Sequence, residues 1–144
     1  MHPMPHHYTV SAAAHSEGPV RLDSPGLAGI ESAPPREFDG PGDRWSPETL
    51  LTAAVVDCFV LSFRAIARAS KLEWLELACT TQGTLERVEG KNRFTKFLTA
   101  ATLRVPAGTD PERARRLLEK AEEVCLIANS LSAERQLEAR VEAA

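Results

Sequence analysis

A chain of 144 residues, 43% of them hydrophobic, is one domain's worth of material, and a domain of this size can bury roughly two thirds of its unfolded surface without disulfides or metal. A formal net charge of −3 and a pI near 5.8, with lysines and arginines scattered among acids, supply no basic field and argue against a nucleic-acid partner. No apolar run is expected to reach the roughly 18 residues of a membrane span, and "MHPMPHHYTV" lacks the basic-then-apolar layout of a signal peptide, so the expectation is a cytoplasmic protein with reduced thiols and no membrane contact.

In chain order, residues 8–14, 18–24 and 27–32 are short runs of small and β-branched residues broken by "SEGP" and "SPG", the spacing of a strand meander. "APPREFDGPGDRW", residues 33–45, holds too many prolines and glycines for a regular element and is expected as a loop, long enough to be functional. Ser46, Pro47 and Glu48 make a strong helix start: a capping hydroxyl, a proline where no amide proton is missed, and a carboxylate at the positive helix end. The helix expected over 46–70 is apolar almost all round. Leu51, Ala54, Val55, Cys58, Ser62 and Ile66 share one side, and Phe59 and Phe63 widen it. Residues 72–88 and 92–105 alternate like strands and are joined by "EGKN", which predicts a hairpin. Asp110, Pro111 and Glu112 repeat the helix start and open a second helical region over 110–131, on whose apolar face Cys125 lies. "QLEARVE" closes the chain as a strand with Leu137, Ala139 and Val141 facing inward. These elements make an α+β fold in a single domain, 1–144, with antiparallel strands packed around a long central helix.

By residue type alone, each of the three cysteines is first a small core hydrophobe. Cys79, on a hairpin strand, has no second cue, and His2, His6, His7 and His15 have no matching acidic or thiolate cluster, so neither a metal nor a cofactor is expected. Cys58 and Cys125 differ because each stands in a longer pattern. "WSPETLLTAAVVDCF" followed by "AEEVCLIANSL" resembles the two cysteine segments of the OsmC/Ohr superfamily, the osmotically induced and organic-hydroperoxide-resistance proteins. Element order is similar along nearly the whole chain. Two departures stand out: "HSEGPVR" carries no Gly-Gly-Arg turn, and Leu126 stands where the superfamily usually has proline.

The resemblance implies a thiol peroxidase that reduces organic hydroperoxides. Cys58 would be the peroxide-reactive thiol, Cys125 its resolving partner, and a dithiol the final reductant. It also implies an arginine held by Glu48. Arg36 is the closer match, with Arg44 and Arg21 as alternatives. An intertwined homodimer with sites at the subunit interface is implied as well. The spacing favours it, since ten residues of helix put Glu48 roughly 15 Å from Cys58. A binding protein of the same fold, a dimer with an apolar pocket lined by Leu51, Phe59 and Phe63 and little peroxide chemistry, is the competing expectation. An inert buried thiol would titrate above about 8.5, a reactive one below it.

Overall fold

The first fifty residues form a compact unit of their own in a computed structural model of the chain, which describes residues 1–144; residues 51–144 form the second. In the first unit, β1 (Ser11–Ala13), β2 (Val20–Asp23) and β3 (Ile30–Ser32) pair in order as an antiparallel meander. The strands are shorter than the expected segments, and Gly18 and Gly26, both at positive φ, lie in the turns between them. The proline- and glycine-rich segment that follows is more ordered than a plain loop. Arg36–Phe38 makes one 3-10 turn, closed by Asp39 in left-handed geometry, and the Gly40 amide bonds the Pro35 carbonyl at 2.9 Å. A β-carbon on Gly40 would collide with the Pro34 carbonyl, so only glycine fits there. The Ala33 amide then bonds the Trp45 carbonyl at 2.9 Å, returning the chain to the end of β3.

Helix α1 (Pro47–Ala69) starts as its residues predict. The Ser46 hydroxyl accepts from the Thr49 amide at 3.1 Å while the Ser46 amide donates to the Thr49 hydroxyl at 2.8 Å, a reciprocal cap that satisfies two terminal donors. By length and composition α1 contains an 18-residue window apolar enough to cross a membrane, which corrects the expectation that no such run exists. Its place is nonetheless in a core: Val55, Phe59, Phe63 and Ala67, four residues apart, are buried, while Asp57, Arg64 and Arg68 are exposed.

Within the second unit, β4 (Glu76–Val88) and β5 (Lys91–Val105) form the expected hairpin. Glu89 and Gly90, both at positive φ, make its two-residue turn. Helix α2 (Pro111–Val124) is capped by the Asp110 carboxylate, which accepts from the Glu112 amide at 3.0 Å, and a short α3 (Leu126–Asn129) follows. Strand β6 (Glu134–Ala143) lies beside β5 and runs parallel to it. That pairing corrects the expectation of purely antiparallel strands: a parallel neighbour needs a crossover of a dozen residues or more, and α2 and α3 supply it. Phe59, Phe63 and Ala67 of α1, Leu103 and Val105 of β5, and Ala114, Leu118 and Ala121 of α2 form the core. The Phe63 ring meets Trp74 edge-on at 5.5 Å.

Leu118 is fully buried in that cluster and its neighbour Leu117 only packs against the edge. Leu118→Ala should therefore cost about 2–5 kcal/mol in urea unfolding, with Leu117→Ala costing less. Equal losses at the two positions would contradict this core.

Candidate functional site

Cys58 is on α1 one residue before Phe59, so it stands at the edge of the buried stripe and is half-buried, its sulfur 3.9 Å from the Ser62 hydroxyl one turn on. Asp57 is exposed, turned to another side by the roughly 100° step between adjacent helix residues. Cys125 is only 1% exposed, and its thiol points at α1, 3.9 Å from the Val55 carbonyl. It is not in a helix, as its place in an amphipathic run led one to expect. With φ −60° and ψ 107° it occupies the break between α2 and α3.

The two thiols are close enough to influence each other. Burial pushes the Cys125 thiol up to about 11; a hydrogen bond from the Ala128 backbone, next in size, opposes it, and hydrogen bonding with Cys58 and the nearby Glu122 carboxylate add lesser upward pushes. All three cysteines are free thiols. Burial alone pushes Cys79 up to about 11 as well; it packs against the core cluster, as the residue-type argument expected.

The other residues singled out in the sequence belong to the first unit. Arg36 is exposed on the 3-10 turn, with its side chain lying where a β-carbon of Gly42 would be. Arg44 is ion-paired with Glu31 at 3.0 Å and with Asp43 at 3.3 Å, and Arg21 with Asp23 at 3.1 Å, so both are already committed to carboxylates. Glu48 lines an apolar pocket of about 310 Å³ together with Pro35, Phe38 and Pro47. The pocket expected from Leu51, Phe59 and Phe63 is not formed, because both phenylalanines are fully buried in the core and present no surface to a ligand.

Glu122, Asn129 and Arg135 gather beside Cys125, and the sequence reading passed over them. The Arg135 Nε is 3.3 Å from the Glu122 carboxylate, and one of its terminal nitrogens donates to Asn129 Oδ1 at 2.6 Å. Burial raises Glu122 above the usual carboxylate range, with Arg135 pulling the other way. The signal was available in parity: Arg135 is two residues before Leu137, on the inward face of the closing strand, where a charge is unexpected.

Fold and site define an α+β protein with a paired-thiol centre. The chain belongs to the OsmC-like protein family, whose model matches residues 40–140. Over 112 residues it is 30% identical to the uncharacterized protein YmaD of Bacillus subtilis, covering 74% of this chain and 75% of that protein. An OsmC-like protein of unknown function from Vibrio cholerae superposes with a TM-score of 0.85 at 19% identity, covering 94% of this chain and 99% of that one, a likeness of fold alone. An organic hydroperoxide resistance protein from Legionella pneumophila, also described as a predicted redox protein, superposes with a TM-score of 0.73 at 25% identity, covering 97% and 99%.

The raised thiols have a consequence for stability. Cys79 and Cys125 are held neutral in the fold, up to about 11 against an ordinary 9.0, so the unfolded chain loses those protons first as the pH rises. Their contribution is complete below pH 9 and is lost progressively between 9 and 11. The urea midpoint should fall across that window, and less steeply in a Cys79→Ala, Cys125→Ala variant. Identical slopes would contradict the assignment.

Proposed function

We propose that the protein is a thiol-dependent peroxidase that reduces organic hydroperoxides. The observation that carries this reading is the pairing of two free thiols in unlike surroundings, Cys58 half-open and Cys125 closed off. The Cys58 thiolate attacks the distal oxygen of the hydroperoxide; the O–O bond breaks, the alkoxide leaves and takes up a proton as the alcohol, and the sulfur is oxidised by two electrons to a sulfenic acid. The Cys125 sulfur then attacks that of Cys58, forming the S–S bond and releasing the hydroxyl as water. An external dithiol exchanges with the disulfide and restores both thiols. Cys125, pushed up to about 11, holds its proton at neutral pH and does not compete for peroxide. The Legionella pneumophila relative named an organic hydroperoxide resistance protein supports the substrate class. The reading includes a homodimer as the working form, and Arg36 with Glu48 as the groups that activate the thiol and orient the peroxide. A guanidinium suits that task because it stays charged when partly desolvated and can donate to a carboxylate and a peroxide oxygen together.

Stopped-flow mixing with cumene hydroperoxide tests the scheme. The wild-type chain should lose two thiols per equivalent, Cys125→Ser should stop at a dimedone-reactive sulfenic acid, and Cys58→Ser should not react. Arg36→Ala should slow the first step tenfold or more, about 1.4 kcal/mol of transition-state stabilisation, and Arg44→Ala should do less. A Cys58→Ser variant that consumes peroxide at the wild-type rate would overturn the proposal.

A further inference from the structure

Cys125 stands alone in extended backbone between the last residue of α2, Val124, and the first of α3, Leu126. A helix interrupted there leaves the carbonyls of its last turn without intrahelical donors. Side chains from elsewhere supply them. Arg135 donates to the Glu122 carbonyl at 3.0 Å and Asn129 donates to the Glu123 carbonyl at 3.2 Å. The same guanidinium reaches Asn129 Oδ1 at 2.6 Å and the Glu122 carboxylate at 3.3 Å. One cation from β6 thus ties the end of α2 to the end of α3 across the cysteine.

The need for such a tie follows from the next residue. At the first position of a helix a proline has its φ fixed near −65° and misses no bond, so it stabilises a break by itself. Leu126 occupies that position here and is two-thirds exposed. Arg135 adds to what holds the break locally, where the Asn129 amide bonds the Cys125 carbonyl at 2.9 Å; an α2 that ran on through Cys125 would give the sulfur a different direction from the one that faces α1. The Arg135 and Glu122 side chains are only 25% and 17% exposed, a costly placement for two charges unless their bonds secure something.

We propose that Arg135 is the positioning residue for Cys125, holding the helix break open so that the Cys125 sulfur faces α1 and meets Cys58 as soon as that thiol is oxidised. This rests on the reading of Cys58 and Cys125 as the reacting pair. Arg135 touches no reacting atom; it acts through the backbone of α2 and through Asn129. In the step it serves, the Cys125 thiol gives up its proton, the S–S bond forms, the S–O bond of the sulfenic acid breaks, and water leaves. Electrostatics favours the same arrangement, since the Glu122 carboxylate disfavours a Cys125 thiolate and the guanidinium beside it offsets that charge.

The test separates the two chemical steps in the full chain, with cumene hydroperoxide as oxidant. Sulfenic acid is trapped with dimedone at successive times, and disulfide is counted by mass spectrometry without reductant. In Arg135→Ala, sulfenic acid should form within about twofold of the wild-type rate while disulfide forms about tenfold or more slowly, because a misplacement on the order of 1 Å is costly for a bond-forming step. Arg135→Lys should fall between, since an ammonium can keep the Glu122 ion pair but cannot span all the acceptors. Asn129→Ala, which removes the α3 side of the tie, should also slow the second step at a nearly unchanged melting temperature. A folded Arg135→Ala chain that closes its disulfide at the wild-type rate overturns the proposal. If Arg135→Ala does not fold, wild-type closure in Asn129→Ala overturns it equally. A wild-type chain in which Cys58 is oxidised and Cys125 stays free would instead bring down the underlying peroxidase reading.

Discussion

A helix with 3.6 residues per turn and one wall to lean on can bury a single stripe, and in α1 that stripe is Val55, Phe59, Phe63 and Ala67. Cys58, one step before Phe59, is forced to the border of the stripe. Burying it would expose a phenylalanine, and exposing it fully would turn Phe59 out of the core formed with Leu103 and Leu118. The half-open state of this thiol is therefore set by core packing, at a cost of several kcal/mol for any rotation of the helix that undid it. The border is also where a second element comes over α1: the Cys125 thiol reaches the Val55 carbonyl, the first carbonyl of the buried stripe.

Because the two sulfurs stand in different surroundings, their chemistries separate. Solvent reaches Cys58, whereas Cys125 is closed in, held as a neutral thiol by burial and by its bond to Cys58. A pair of equally exposed thiols would compete for the oxidant and cross-react with other molecules. On the proposed reading, an open one backed by a closed one orders the steps in time: oxidation outside, condensation inside. The break between α2 and α3 places the closed thiol, and on the proposal above the charges of Glu122 and Arg135 hold the break, so a partly buried ion pair that looks like poor stability engineering acquires a purpose in geometry.

The elements with local causes were readable from the chain. The caps at Ser46 and Asp110 and the Glu89–Gly90 turn arise from neighbours within four residues and stand where they were expected, and the three-strand meander, with strands shorter than expected, joins segments close in the chain, such as Ala13 with Arg21. What escaped was set by distant partners. The parallel pairing of β6 with β5 depends on where a crossover lands, and alternation along a strand carries no sign of its neighbour's direction. The burial of Phe59 and Phe63 follows from the core they share with β5 and α2, so the pocket drawn from them vanished. At Cys125 the apolar period of the helix continued through the break, and with Leu126 where a proline would have signalled it, only the inward charge of Arg135 marked it.

The central claim is that Cys58 and Cys125 are one redox centre, and the bond between them tests it most directly. Oxidation of the intact chain with one equivalent of an organic hydroperoxide, followed by peptide mapping without reductant, should yield a Cys58–Cys125 disulfide with Cys79 still a free thiol. A Cys58–Cys79 bond, or oxidised Cys58 with Cys125 free in every chain, would contradict it.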